Sequence, residues 1–396
     1  MMKPARKTAE TGTRADLRPA KIALVLQGGG ALGSYQAGVY EALAVVDYLP
    51  DWLAGISIGA INAAIIAGNP PETRVARLRA FWQQITRSAT GWTEAPSDGP
   101  TALTRMAAAQ AALLFGQPGF FAPRQVLEWL SPRGPISYYD TSALKATLER
   151  LVDFDRINAA TEPRLSVGAV NVRTGRFAYF DSTKIPIRAE HIMASCALPP
   201  GFPAVEIDGE HYWDGGIVSN TPLAYVLDQL PRRSRLIFQV DVFQAYGQVP
   251  TTLEQVAERE KDIRFASRTR LNTDIFANNH EVRHPINDRI ALLPPELANT
   301  PQARRLYQLG CVTQMDIVQM IYRPMVPQSP QKDYEFSRAT MTRRWDQGLA
   351  DAQVTLQEAP WLAPRDREVG VRVFDVWHEK LLRQSRADAP LAGAED

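Results

Sequence analysis

Apolar positions divide the first half of this chain into short continuous runs and helical stretches. Ile22-Ala23-Leu24-Val25-Leu26 is an unbroken apolar run of the length of a buried strand, and residues 34–46 read as a helix. Trp52-Leu53-Ala54 predicts a second strand. Ala60-Ile61-Asn62-Ala63-Ala64-Ile65-Ile66-Ala67 predicts a buried helix ended by Gly68-Asn69-Pro70-Pro71. Val75, Leu78, Phe81, Trp82 and Ile85 recur at helical spacing over residues 72–87. Further on, Asp140 or Thr141 caps a helix through Leu151, and strands 164–171 and 176–181 flank a turn at Thr174-Gly175. Residues 206–213 read as a hairpin turning at Asp208-Gly209, and residues 235–242 as a core strand. Between these, residues 88–139 look like an insertion with a small-residue run from Met106 to Phe115 and a Gly116–Phe121 loop. A lid or acyl-chain contact and a core-packing insertion are equal readings of it. Past residue 250 the pattern predicts helices near 252–268 and 301–310, a strand-like stretch at 316–323 and a helix near 336–357. Residues 1–20 and 385–396 read as disordered ends.

Two glycine clusters interrupt the pattern where chemistry would sit. Gln27 ends the first strand, and Gly28-Gly29-Gly30-Ala31-Leu32-Gly33 follows with bare backbone N–H groups suited to a developing negative charge. Gly55-Ile56-Ser57-Ile58-Gly59 leaves the second strand and enters a helix at once, which is the shape of a nucleophile elbow. Gly55 and Gly59 are the positions where a Cβ would collide with the adjoining strand and helix. The amino end of that helix points at Ser57, so its dipole favours an alkoxide and the oxyanion formed later. The first cluster has a competing reading, because Gly28, Gly30 and Gly33 spell a dinucleotide fingerprint with Asp47 near the spacing of a ribose-binding acid. Against this, Asp47 precedes the second strand instead of ending it, and that strand ends in a serine elbow.

The 206–213 hairpin delivers Asp214-Gly215-Gly216, a loop that can leave a carboxylate facing a neighbour but is also an ordinary turn. Taken in order, Gly28-Gly29-Gly30-x-x-Gly33, Gly55-x-Ser57-x-Gly59, Ala194-Ser195-x-x-x-Pro199 and Asp214-Gly215-Gly216 resemble the motif set of the patatin-like phospholipases, over roughly residues 20 to 225. The resemblance implies a patatin-type three-layer α/β/α sandwich with a mainly parallel central sheet at residues 21–245. A mostly helical C-terminal extension would occupy residues 246–384. It implies Ser57 as nucleophile, Asp214 as base and only side-chain partner, and the amides of Gly28, Gly29 and Gly30 as oxyanion hole. Gly33, Gly55, Ile58, Gly59, Gly215 and Gly216 would support the elbow and loops. One position departs from the family pattern: Leu32 stands where an arginine or lysine is usual, which weakens the case for an anionic phospholipid.

A serine–aspartate pair poses a physical problem, since an aspartate with pKa near 4 is a poor base. Burial must raise its basicity, or the pair must act by concerted transfer in a dry site. A Ser-Asp-His triad is the alternative mechanism, with His280, His284 or His378 as the third member. His211, three residues before Asp214, projects to the opposite strand face and reads as structural. His280-Glu281-Val282-Arg283-His284 also matches a zinc-protease signature, but Pro285 biases His284 away from helical geometry, and the extended ligand pattern fails at Asn287 and Ile290. No metal and no cofactor are expected.

Composition narrows the classes further. With 396 residues and 45% hydrophobic content the chain can bury a full core. A net charge of +1 argues against nucleic acid as a partner, and Cys196 and Cys311 suggest no disulfide framework. No signal-like or membrane-spanning apolar run is seen, so the expectation is a cytoplasmic protein. The expected substrate is a lipid-like ester or an intracellular hydroxyalkanoate oligoester, with a lipid surface as a further contact. A non-catalytic lipid-binding scaffold is the alternative from a different class.

Overall fold

Strand β1 (Ile22–Leu26) is buried from Ala23 onwards, as its unbroken apolar run anticipates. The computed structural model describes residues 21–86, 102–160, 162–311, 313–325, 328–366 and 369–387. Residues 88–101 of the expected insertion, residue 87 of the helix before it and both expected disordered ends, apart from 385–387, lie outside the described residues.

Through a 3-10 turn β1 leads to α1 (Ser34–Val45), and β2 (Trp52–Gly55) leads through Ser57 to α2 (Ile58–Ala67) and α3 (Pro71–Ile85). The insertion holds α4 (Ala102–Phe115), β3 (Ala122–Pro123), the single turn α5 (Val126–Trp129) and β4 (Tyr139–Asp140). After it come α6 (Ser142–Leu151), α7 (Phe154–Ala159), β5 (Arg164–Asn171), β6 (Phe177–Asp181) and α8 (Ala189–Cys196). Next are β7 (Val205–Ile207), β8 (Glu210–Asp214), α9 (Leu223–Asp228) and β9 (Arg235–Asp241). The later part contains α10 (Leu253–Ala291), α11 (Pro295–Ala298), α12 (Pro301–Leu309) and β10 (Met315–Ile321). It ends with α13 (Arg338–Glu358), β11 (Val371–Phe374) and α14 (Val376–Ala387).

Nine strands form one sheet in the order β11-β10-β9-β1-β2-β5-β8-β7, with β6 also paired to β5. From β11 to β5 every pairing is parallel, and the pairings of β5 with β6 and β8, and of β7 with β8, are antiparallel. Side chains alternate between two apolar layers. Leu24, Leu26, Leu53, Phe238 and Val240 pack against α1, α2, α3 and α13 on one face. Ala23, Val25, Trp52, Ala54 and Ile237 pack against α9 and Phe276 of α10 on the other. This is the expected three-layer α/β/α sandwich with a mainly parallel sheet. On the first face α1 and α13 approach to backbone contact. A Cβ on Gly38 would strike the Trp345 carbonyl oxygen, and one on Gly348 would strike that of Tyr35.

Three local expectations need correction. Pro285 does not end its helix: α10 runs unbroken to Ala291, so residues 280–284 are helical. The proline removes one intrahelical donor, but the helix is held from outside, where the Cys311 amide bonds the Arg283 carbonyl at 3.1 Å and Phe276 and His280 are buried. The last helix reaches Ala387, so residues 385–387 belong to α14. Strand β11 had no counterpart in the periodicity; its four residues pair in parallel with β10 at the sheet edge. The hairpin at Asp208-Gly209 has the expected form, with φ of 50° and 81° at its two turn residues.

Candidate active site

The site lies at the carboxyl ends of the parallel strands, where open α/β sheets place their crevices. Strand β1 ends into the glycine loop, β2 into Ser57, and β9 into Val242 and Phe243. Ser57 has φ 54° and ψ −126°, the left-handed and strained geometry of an elbow. The turn closes only with glycine on both sides of it: a Cβ on Gly55 would overlap the Gly59 carbonyl, and one on Gly59 the Leu26 carbonyl. Ile58 opens α2, and its side chain fills the space beside Gly33, where a Cβ would come within 2.6 Å of it.

Asp214 ends β8, where it pairs with Ala169 of β5, and its amide bonds the Ala197 carbonyl at 3.0 Å. Its side chain is buried and accepts the Gly216 amide at 2.7 Å. Burial pushes its pKa up to about 7 against the pull of that amide and of the neighbouring Ser57 hydroxyl. A Cβ on Gly215 would crowd the Gly168 carbonyl at 2.7 Å, and one on Gly216 the Asn220 amide oxygen at 2.9 Å.

The glycine loop faces the same pocket. The Gly28 amide is already given to the Asn220 carbonyl at 3.0 Å, so Gly28 shapes the loop and its N–H is not open to a ligand. Among the described residues, the amides of Gly29, Gly30 and Ile58 donate to no protein acceptor. Asn220 closes the loop from the other side through its amide nitrogen on the Gly28 carbonyl at 2.9 Å. Behind the loop runs a buried polar chain. Gln36 donates to the Gln27 carbonyl at 2.7 Å, Asn62 to Gln36 at 3.0 Å and to the Gly33 carbonyl at 2.9 Å, and Trp82 to Asn62 at 3.1 Å. The Gln27 side-chain oxygen receives the amides of Val242 and Phe243 at 2.7 and 3.0 Å. Sequence reading passed over Asn220, Gln36 and Asn62. For Gln36 and Asn62 the available signal was a polar residue set inside an otherwise apolar helix, a costly placement unless it finds partners; Asn220, in the bend before α9, carried no such signal.

The rest of the pocket is aromatic, with Phe120 and Phe121 from the insertion, Phe202, Phe243, Phe265 and Phe336 around Ser57. Among the described residues no histidine lines it. The His280 ring lies 3.4 Å from the Cys311 sulfur, and His378 stacks on Tyr246 with ring centroids 4.9 Å apart. His211 is exposed on β8. Asp47 is exposed in the turn after α1 and does not face the glycine loop's pocket. Among the described residues no group of three His, Cys, Asp or Glu is placed to hold a metal ion.

Residues 24–227 match the sequence profile described as patatin-like phospholipase, and residues 263–368 match a second profile described as patatin phospholipase. The chain belongs to the patatin-like phospholipase family. Membership points to lipid as the substrate class and to lipid acyl hydrolysis as the activity. No curated protein sequence matches the chain. Similar solved structures include VipD from Legionella pneumophila, 14% identical over 93% of this chain and 74% of that one, with a TM-score of 0.40. The type III effector protein ExoU is 15% identical over 89% of this chain and 54% of its own, with a TM-score of 0.33. Human GIVD cytosolic phospholipase A2 is 12% identical over 89% of this chain and 61% of its own, with a TM-score of 0.40. Within this patatin-like chain the departure at position 32 is structural as well as chemical, since Leu32 is fully buried in the core beside α1.

Proposed function

We propose that this protein is a serine ester hydrolase in which Ser57 is the nucleophile and Asp214 the base. The observation that carries the reading is the strained Ser57, which shares its pocket with the buried carboxylate of Asp214, whose pKa burial pushes up to about 7. That burial answers the objection to an aspartate as base, because the carboxylate gains basicity while about half of it stays ionised at pH 7. Ser57 Oγ attacks the ester carbonyl as its proton passes to Asp214. The oxyanion is received by the open amides of Gly29 and Gly30 and by the amino end of α2, with Gly28 keeping the loop closed. Asp214 returns the proton to the leaving alcohol, and water then cleaves the acyl-enzyme by the reverse steps. A scaffold would have no use for an elbow strained in this way.

The aromatic pocket suits an apolar acyl group, and with Asp333 and no lysine or arginine among its described lining residues it favours an uncharged ester over an anionic head group. A hydroxyalkanoate oligoester is the second reading that this lining supports. Leu127, Trp129, Leu130 and Ile136 stand exposed on the insertion whose Phe120 and Phe121 wall the pocket, so a lipid surface suits this face. Among the described residues no helix is long and apolar enough to cross a membrane.

The test is labelling by a fluorophosphonate probe in wild type, Ser57→Ala, Asp214→Asn and His280→Gln. Labelling should vanish without Ser57, fall by at least ~10²-fold in the Asp214 variant, and persist in the His280 variant. Retained activity in Asp214→Asn, or loss in His280→Gln, would overturn the dyad.

A further inference from the structure

The glycine loop is supported from behind by residues far along the chain. The Ala31 amide donates to the Asp333 carbonyl at 2.8 Å, and that same oxygen fills the space a Cβ on Gly30 would need. Arg344 of α13 donates from Nη1 to the carbonyls of Ala31 at 3.1 Å and Glu335 at 3.2 Å, and from Nη2 to that of Lys332 at 2.8 Å. One guanidinium thus ties the loop to the segment 330–336. That segment is pinned in turn to α10, with Lys332 on Asp262 at 2.6 Å and Lys261 on Asp333 at 2.6 Å. Tyr334 and Phe336 of the same segment line the pocket.

Apolar packing alone would not call for an arginine here. Arg344 is 1% exposed and its acidic neighbour Glu335 stands 3.9 Å away, so the buried charge is costly as an ion pair. Its rigid planar fork is suited to several fixed carbonyls at once, which a lysine cannot match. The hydrogen bonds to the Ala31 amide and carbonyl fix the peptide planes on both sides of that residue. With Ala31 fixed, Gly30 at φ 54° is held in one orientation.

We infer that Arg344 is a positioning residue for ester hydrolysis, holding the Gly29 and Gly30 amides at the angle the oxyanion requires, and that segment 330–336 belongs to the active site. The inference rests on the hydrolase reading above.

The test uses the full chain with Arg344→Met, Arg344→Lys and, as control, Asp351→Asn. Asp351 also anchors α13 to α1, accepting the Tyr35 hydroxyl at 3.0 Å, and among the described residues it makes no hydrogen bond to the loop. Turnover is measured on an aryl butyrate and on its thionoester. The sulfur of the thionoester is a larger and weaker acceptor, so an aligned hole discriminates against it. Arg344→Met should lower kcat on the oxygen ester about 10²-fold with KM little changed, and the thionoester rate much less. The oxygen-to-sulfur ratio should therefore collapse, by a smaller factor in Arg344→Lys, and stay at the wild-type value in Asp351→Asn. If the methionine variant does not fold, the lysine variant, which keeps the charge beside Glu335, carries the measurement. An unchanged ratio in an Arg344 variant, or an equal collapse in Asp351→Asn, overturns the inference. Wild type lacking both turnover and Ser57-dependent labelling would be a different result, one that overturns the hydrolase reading and this inference with it.

Discussion

The Ser195 hydroxyl joins the nucleophile elbow to the neighbouring strand: it accepts the Ser57 amide at 3.0 Å and donates to the Gly168 carbonyl at 2.6 Å. A residue at φ 54° persists only where its surroundings hold it there, and this bond is one of the restraints. Ser195→Ala leaves a buried amide and a buried carbonyl without partners, which should cost about 1–3 kcal/mol of stability. It also frees the elbow, so kcat should fall about tenfold with KM little altered. Urea unfolding and steady-state kinetics on one short ester read both effects. A change confined to KM would assign Ser195 to substrate binding instead.

The acid limb of the pH profile should report Asp214. In the proposed mechanism its carboxylate must be ionised to accept the Ser57 proton, and burial holds its pKa at about 7. The value of kcat/KM should therefore climb with pH, inflect near 7 and level off above it, when measured with an uncharged ester. An inflection near 4 would mean the carboxylate is as well hydrated as a free one.

The same burial has an opposite sign for stability. An aspartate in the unfolded chain titrates near 3.9, whereas burial raises both Asp214 and Asp241 to about 7 in the fold. Between those values the folded state holds more protons than the unfolded state, so these two groups make stability fall as pH rises from about 4 to 7. Asp214→Asn removes one such charge. Its Tm should exceed that of wild type at pH 8 by at least ~2 °C, and the gap should close towards pH 4. Scanning calorimetry at the two pH values is the check, and an equal gap at both would assign the gain to something other than ionisation.

What was legible in the sequence was what local geometry dictates. The tight turns at Gly55–Gly59 and Asp208-Gly209 announce themselves because only certain residues fit their backbone, and β1 and β2 because fully buried strands are continuously apolar. The loop Gly28–Gly30 was legible as a loop, but not the fact that Gly28 spends its amide on Asn220, since that bond joins residues 192 apart. Pro285 misled for a related reason. Its local preference is real, yet contacts with Cys311 and the sheet face outweigh it. Strand β11 and helix α14 carry too few apolar residues to stand out, being partly exposed. Arg344 had no signature at all, because a single arginine in a mixed-charge helix looks like solvent-facing residue until its three carbonyl partners are seen.

The support of Ala31 by Asp333 and Arg344 also orders events during synthesis. The ribosome releases the glycine loop and Ser57 early and α13 late, at roughly 5–20 residues per second. For many seconds the growing chain carries its nucleophile without the backing that aligns the oxyanion amides. In the growing chain the peptide planes around Ala31 thus lack both their Asp333 and their Arg344 partners until α13 has emerged.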